Sequence, residues 1–180
     1  MTAEAAADPP LLEQDLCTGC AACCDGTMFT YVPVTREEQA ALSDLLTLET
    51  RADDAIFHQP CPHSVGQRCQ IYALRPQTCR SFRCKTLYAM HKGEIDSAEA
   101  FRRVREMLAS REQLKTMMEI GESIAEARDR RQKVAQASAR TPEEMAFLLK
   151  LTAFDLLLDR YFRDKGQQMF SRSPGKAAAD

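Results

Sequence analysis

Cysteine is the residue type in this chain whose number and spacing can do chemistry. Eight occur, Cys17, Cys20, Cys23, Cys24, Cys61, Cys69, Cys79 and Cys84, and none lies in the 96 residues that follow. The first four are written C-x2-C-x2-C-C, which sets three or four thiols within one or two turns of chain. Thiolates gathered that closely are what a metal ion or an iron–sulfur cluster requires. The second four follow C-x7-C-x9-C-x4-C, with Cys61 directly before Pro62, so loops must wrap to bring them to a common centre. An all-cysteine zinc site commonly draws its ligands as two C-x2-C pairs, and the second pair is missing here. Three close thiols plus a remote Cys-Pro are instead similar to the bacterial ferredoxin arrangement, which tilts the reading toward [4Fe–4S] over Zn²⁺. Neighbouring side chains diverge, so Cys23 and Cys24 seldom serve one ion. Eight thiolates suffice for two four-cysteine sites, or for one site with spare thiols.

The residues around the cysteines add to the pattern. C-T-G-C-A-A-C-C at 17 to 24, C-P-H at 61 to 63, R-C-Q-I-Y at 68 to 72 and R-P-Q-T-C-R-S-F-R-C at 75 to 84 together resemble the zinc- or iron-chelating cysteine-cluster family called YkgJ-like. The resemblance covers residues 17 to 84. It implies that all eight cysteines are metal ligands, holding iron–sulfur or zinc, and leaves the helical remainder without a job. A related cluster occurs in flagellin lysine methylases, but this chain has no glycine-rich strand-to-helix turn for a nucleotide-like cofactor, so a methylase activity is not carried over.

From Ala55 to Gly93 there is no Asp or Glu, while Arg68, Arg75, Arg80, Arg83, Lys85 and Lys92 all fall in that window. Four thiolates leave excess negative charge on either kind of centre, and nearby cations stabilise it. The competing uses of this strip are a phosphate or nucleic-acid patch with Tyr72, Phe82 and Tyr88 as stacking groups, or a solvated basic face. His63 is an alternative ligand, His58 and His91 less readily so. The pairs Glu37-Glu38, Asp53-Asp54 and Glu143-Glu144 read as helix starts and solvated turns. No catalytic constellation is discernible.

Elements must position these thiols. With 180 residues and 44% hydrophobic content, one compact core is expected, with a metal-stapled lobe beside it. The sequence divides into a disordered start over 1–10, a cysteine-cluster region over 11–93, a helical region over 94–166 and a flexible tail over 167–180. Met28 to Val32 reads as a brief strand closed by Pro33. Thr35 and Glu38 have capping-box spacing and open a helix over about 36 to 48. Beyond Lys85 the apolar spacing turns helical: Phe101, Val104, Leu108, Leu114, Met117, Met118, Gly121 and Ile124 share a face behind a Ser97 cap. Thr141-Pro142-Glu143-Glu144 opens a second helix expected to end at Gly166. Its apolar residues surround most of its circumference, which suggests a central packing element or a dimer contact. The fold class is therefore mainly α, an irregular cysteine-rich lobe packed against two long C-terminal helices.

The net charge of −2 exerts no global pull on nucleic acid or an anionic membrane. The start of the sequence lacks a secretory pattern, and no run approaches about 18 apolar residues, so a cytoplasmic protein is expected, in which thiols stay reduced for metal. Three functions remain open at this point. The first is a cytosolic iron–sulfur or zinc metalloprotein with a redox protein partner. The second is a structural zinc module that binds protein or nucleic acid. The third is a cluster-dependent oxidoreductase or protein-modifying enzyme. Homodimerisation through the C-terminal helix is compatible with each.

Overall fold

The computed structural model describes residues 9–51 and 54–169, with side chains from residue 13 onward. The expectations for residues 1–8 and 170–180, and for Asp53, lie outside the described residues. Among the described residues seven helices and five short strands follow in the order α1 (Pro9–Cys20), β1 (Tyr31–Val34), α2 (Arg36–Leu42), β2 (Glu49–Arg51), β3 (Asp54–His58), β4 (Ser64–Val65), β5 (Arg68–Cys69), a 3-10 turn at Tyr72–Leu74, α3 (Gln77–Ser81), α4 (Lys85–His91), α5 (Ser97–Lys115), α6 (Ile124–Gln136) and α7 (Pro142–Tyr161). The fold is mainly α. No helix among the described residues is long and apolar enough to cross a membrane.

Apolar residues gather in two cores. The larger joins α1, α4, α5, α6 and α7 through Leu16, Leu87, Val104, Met107, Leu114, Ala127, Phe147, Leu151, Phe154 and Leu158. The smaller is formed by Val32, Val34, Leu42, Leu46 and Phe57, under an antiparallel sheet of order β1-β3-β2. Two cysteines, Cys20 and Cys84, pack against the first core. Cys61 and Cys79 pack against the second.

Several sequence expectations are corrected. Pro9 and Pro10 belong to the first turn of α1 rather than to a disordered start; proline suits a helix N-terminus, where its missing N–H has no partner to lose. The strand near residue 30 begins at Tyr31 and runs through Pro33, which is tolerated because β1 is an edge strand. Met28 leaves the strand to fill the helical core. The capping box of Thr35 and Glu38 is present, but α2 stops at Leu42, with Leu45 and Leu46 in turns bonded back to Leu42.

The C-terminal region holds three helices, not two. α5 is capped by Asp96, whose side chain accepts from Glu99 N–H at 2.8 Å, rather than by Ser97. It ends at Lys115. Gly121 adopts φ +81°, a left-handed conformation that glycine takes without a Cβ penalty, and a Ser123–Glu126 capping box starts α6. The apolar period ran through this break, which hid it. The Thr141 cap, Pro142 and Glu144 box open α7 as expected, yet the helix ends at Tyr161, five residues before Gly166. Its circumference is not wholly packed: Met145, Leu149 and Leu156 are exposed.

Candidate metal centre

α1 delivers the first two thiols. Cys17 and Cys20 lie three residues apart in its last turn and so point to one side. Ala21 then turns left-handed at φ 53°, and its N–H donates to Cys17 O at 2.9 Å. The chain reverses, Cys24 N–H donates to Ala21 O at 2.8 Å, and Cys23 comes back beside the helix end. Asp25 Oδ1 accepts from Thr27 N–H at 2.9 Å, and Gly26 takes φ +84° against the backbone of Pro60 and Gln59. Only glycine holds that turn without strain. Cys61 N–H donates to Cys24 O at 2.9 Å, which pins the second cysteine group to the first.

Between Cys61 and Cys69 the chain makes the β4–β5 hairpin. Gly66 and Gln67 both have positive φ, 55° and 64°, as a two-residue primed turn requires. Cys79 rides on α3, which is tied to the sheet by Thr78 Oγ1 donating to Pro33 O at 2.9 Å and by Gln77 N–H donating to the Glu38 carboxylate. Cys84 is the N-cap of α4, its Sγ accepting from Leu87 N–H at 3.4 Å. The next two residues fasten that cap to the end of α7. Lys85 N–H donates to Phe162 O at 3.1 Å, and Thr86 Oγ1 donates to Tyr161 O at 2.6 Å.

These supports sort the eight thiols into two sets. Cys17, Cys20, Cys23 and Cys84 line one cavity of about 50 Å³, walled by Leu16, Ala22, Met28, Phe82, Leu87, Val104 and Phe162. The thiols of this set lie within electrostatic reach of one another, Cys20 of Cys84 and Cys17, and Cys23 of Cys20 and Cys17. Cys61 and Cys79 instead feel Cys24 and Cys69, and Cys24 is also within reach of Cys17 and Cys23. The cysteine of the second group that lines this cavity is Cys84 and not Cys61, the residue directly before Pro62. Adjacent Cys23 and Cys24 fall on opposite sides of the division, with a hydrogen bond between their sulfurs at the junction. All eight cysteines are free of disulfides. Among the described residues, no three His, Cys, Asp or Glu side chains already stand in the geometry that holds an ion.

Burial makes these thiols poor thiolates on their own. It pushes Cys20 up to about 12, Cys79 up to about 12 and Cys84 up to about 11, and raises Cys17 and Cys61. Cys23, donating its S–H to Cys24, is held well above its ordinary value, and the same bond draws Cys24 down to about 7. A buried anion of this kind needs a cation close by. Arg75 and Arg83 act in that direction on Cys17, and Arg75 does so on Cys24 and Cys79 as well.

Arg75 carries the clearest sign of an absent acceptor. Its Nε is buried and has no hydrogen-bond partner, while its guanidinium lies over the Tyr72 ring, 3.9 Å from the centroid. A buried N–H left unpaired costs about 1–3 kcal/mol. This one belongs to a cation that faces cysteines of both sets, and a metal-bound thiolate or sulfide is an acceptor of the right charge. The donor chemistry thus fits a metal or iron–sulfur centre.

The other sequence candidates have different partners. His63 Nε2 is hydrogen-bonded to Leu45 O at 2.7 Å, His58 pairs with Glu49 at 2.7 Å and His91 with Glu13 at 2.7 Å. Glu38 serves a capping box and Arg80. Within the basic strip, Arg75 lies within electrostatic reach of Cys17, Cys24 and Cys79, while Arg83 donates to the carbonyls of Arg80 and Phe82.

Sequence reading missed a buried charge network behind the first cysteine loop. Asp155, fully buried, meets Arg128 at 2.8 Å, Arg131 at 2.8 Å and Arg163 at 3.3 Å. Arg128 also donates to Thr27 O at 2.8 Å, and Arg111 pairs with Asp25. Residues 25 and 27, directly after Cys24, are thereby fixed to α5, α6 and α7. The available signal was the pair Asp155 and Asp159, four residues apart and interleaved with the apolar residues Phe154, Leu156, Leu157 and Leu158 of α7.

Compared with known proteins, residues 16–113 match the family model named CxxCxxCC and described as "Putative zinc- or iron-chelating domain". No curated protein and no solved structure matches. The match runs past the last cysteine through α4 and most of α5, farther than the cysteine signature alone. In the structure Leu87 of α4 and Val104 of α5, both inside the match, wall the four-thiol cavity.

Proposed function

The chain belongs to the CxxCxxCC family of zinc- or iron-chelating domains, and on that premise we propose that it carries two four-cysteine metal centres, the inner one a [4Fe–4S] cluster with an electron-transfer role. In this reading Cys17, Cys20, Cys23 and Cys84 hold the inner centre, and Cys24, Cys61, Cys69 and Cys79 hold the outer. The observation that carries it is the cavity. A single zinc ion draws its sulfurs to about 2.3 Å and closes the space between them. A cluster fills a larger space with iron and sulfide, each iron taking one thiolate. Four thiols spread around about 50 Å³ of free volume support the second case.

A [4Fe–4S] cluster supplies one-electron transfer. The chain's own groups do the rest. Phe82, Leu87, Val104 and Phe162 form an apolar wall on one side of the inner centre, with Cys17 at the surface, Leu87 N–H donates to Cys84 Sγ, and Arg75 and Arg83 offset thiolate charge. Lower local polarity and N–H donors to sulfur are two of the levers by which a protein sets a cluster's potential. The outer set borders the small sheet and is carried by a hairpin and a short helix, a loop-borne setting that also suits a structural zinc ion. A reducing cytoplasm would keep all eight thiols available.

Anaerobic purification with metal, acid-labile sulfide and visible absorption measured together is the test. Iron with sulfide and a brown chromophore bleached by dithionite is the expected result. Colourless protein with two zinc ions per chain overturns the cluster and leaves a zinc module.

A further inference from the structure

α5 carries no cysteine, yet it sends a buried cation to the first cysteine loop. The side chain of Arg111 is 11% exposed. Its Nη1 pairs with the Asp25 carboxylate and reaches Thr27 Oγ1 at 3.4 Å. Glu112, the other acid beside it, stands 3.7 Å from its Nε and is paired with Lys115 at 2.9 Å. Asp25 therefore serves two partners, accepting from Thr27 N–H through Oδ1 and from Arg111 through Oδ2.

Asp25 is badly placed for a metal site unless its charge is cancelled. It follows Cys24 directly, and its carboxylate bears on Cys20 of the inner set and on Cys24 of the outer. A negative charge beside thiols disfavours the thiolates that a metal needs. The same residue anchors the turn that leaves Cys23 and Cys24 on opposite sides of the division. We propose that Arg111 is a positioning residue for both metal centres and acts through Asp25. It draws the carboxylate toward α5, which fixes the turn after Cys23 and Cys24, and it neutralises the charge that opposes their thiolates. The inference rests on the reading that Cys23 and Cys24 serve different centres, and it holds for iron–sulfur and zinc alike.

Release of metal from the loaded full chain to a chelator is the test, read beside total metal per chain, with far-UV circular dichroism to confirm that each variant is folded. Residues that orient and tune metal ligands contribute about 10–100-fold in affinity, so Arg111→Met should lose metal from both centres at least about tenfold faster than wild type. Should Arg111→Met not fold, Arg111→Gln removes the charge with less change in polarity and carries the same expectation. Leu151→Ala empties part of the helical core without touching the lining of the thiol cavity, and its release rate should stay within about threefold of wild type. Adding Asp25→Asn to Arg111→Met takes away the uncancelled charge and should slow the release again. A merely structural brace would not be repaired by losing its second partner. Release from Arg111→Met no faster than from Leu151→Ala overturns the proposal, as does a double variant no slower than Arg111→Met. A wild type that holds a single centre overturns the division of Cys23 and Cys24, and this inference with it; two centres with unchanged release overturn the inference alone.

Discussion

Arg75 is the side chain on which the electrostatics of both thiol sets converge. It combines a buried, unpaired Nε with proximity to Cys17, Cys24 and Cys79. A hydrogen bond to a charged acceptor contributes about 1.5–3 kcal/mol, so Arg75→Met should speed metal loss to a chelator by about tenfold or more. Arg75→Lys keeps the charge without the Nε donor and should fall between the two. Equal rates in all three proteins would remove Arg75 from the account. The sequence placed this arginine in a charge-poor window of acids but gave no means of telling it from Arg80, which pairs with Glu38. Orientation, not residue type, separates them.

At the scale of elements, the cysteine-bearing turn is held from behind by helices that contain no cysteine. Asp155 neutralises a buried cluster of Arg128, Arg131 and Arg163, and Arg128 fixes Thr27 O. Asp155→Asn leaves those cations without their shared counter-charge. Removing one partner from a buried charge pair costs about 3–5 kcal/mol, so chemical denaturation should show a loss of that order. A change below about 1 kcal/mol would mean that the network does not brace the fold. Features encoded within a few residues were legible in the sequence: the capping boxes of α2 and α7, the N-terminal proline of α7, and the close spacing of Cys17, Cys20 and Cys23. The break between α5 and α6 was not, because Met117, Met118 and Ile124 continue the apolar period across it. Its local signs were Gly121 and the Ser123–Glu126 box. Partnerships made through tertiary contact were also hidden. Cys84 joins the first thiol set because Lys85 and Thr86 dock on the end of α7, residues more than seventy positions away.

In the whole molecule, the metal candidates lie where two hydrophobic cores meet. The inner set belongs to the helical core through Cys20 and Cys84, and the outer set to the sheet core through Cys61 and Cys79. Cys23 and Cys24, adjacent in the chain, join the two. Loss of a centre should therefore loosen the core it borders more than the other, since binding free energy of a metal is also folding free energy. The central claim is that the eight thiols work as two sets, Cys17, Cys20, Cys23 and Cys84 against Cys24, Cys61, Cys69 and Cys79. The most direct measurement is the metal and sulfide content per chain of the anaerobically isolated wild type beside Cys20→Ser and Cys79→Ser. The account predicts that each variant loses one centre and keeps the other, with the visible chromophore lost only in Cys20→Ser. Complete loss of metal in both variants, or the same partial loss in both, would contradict it.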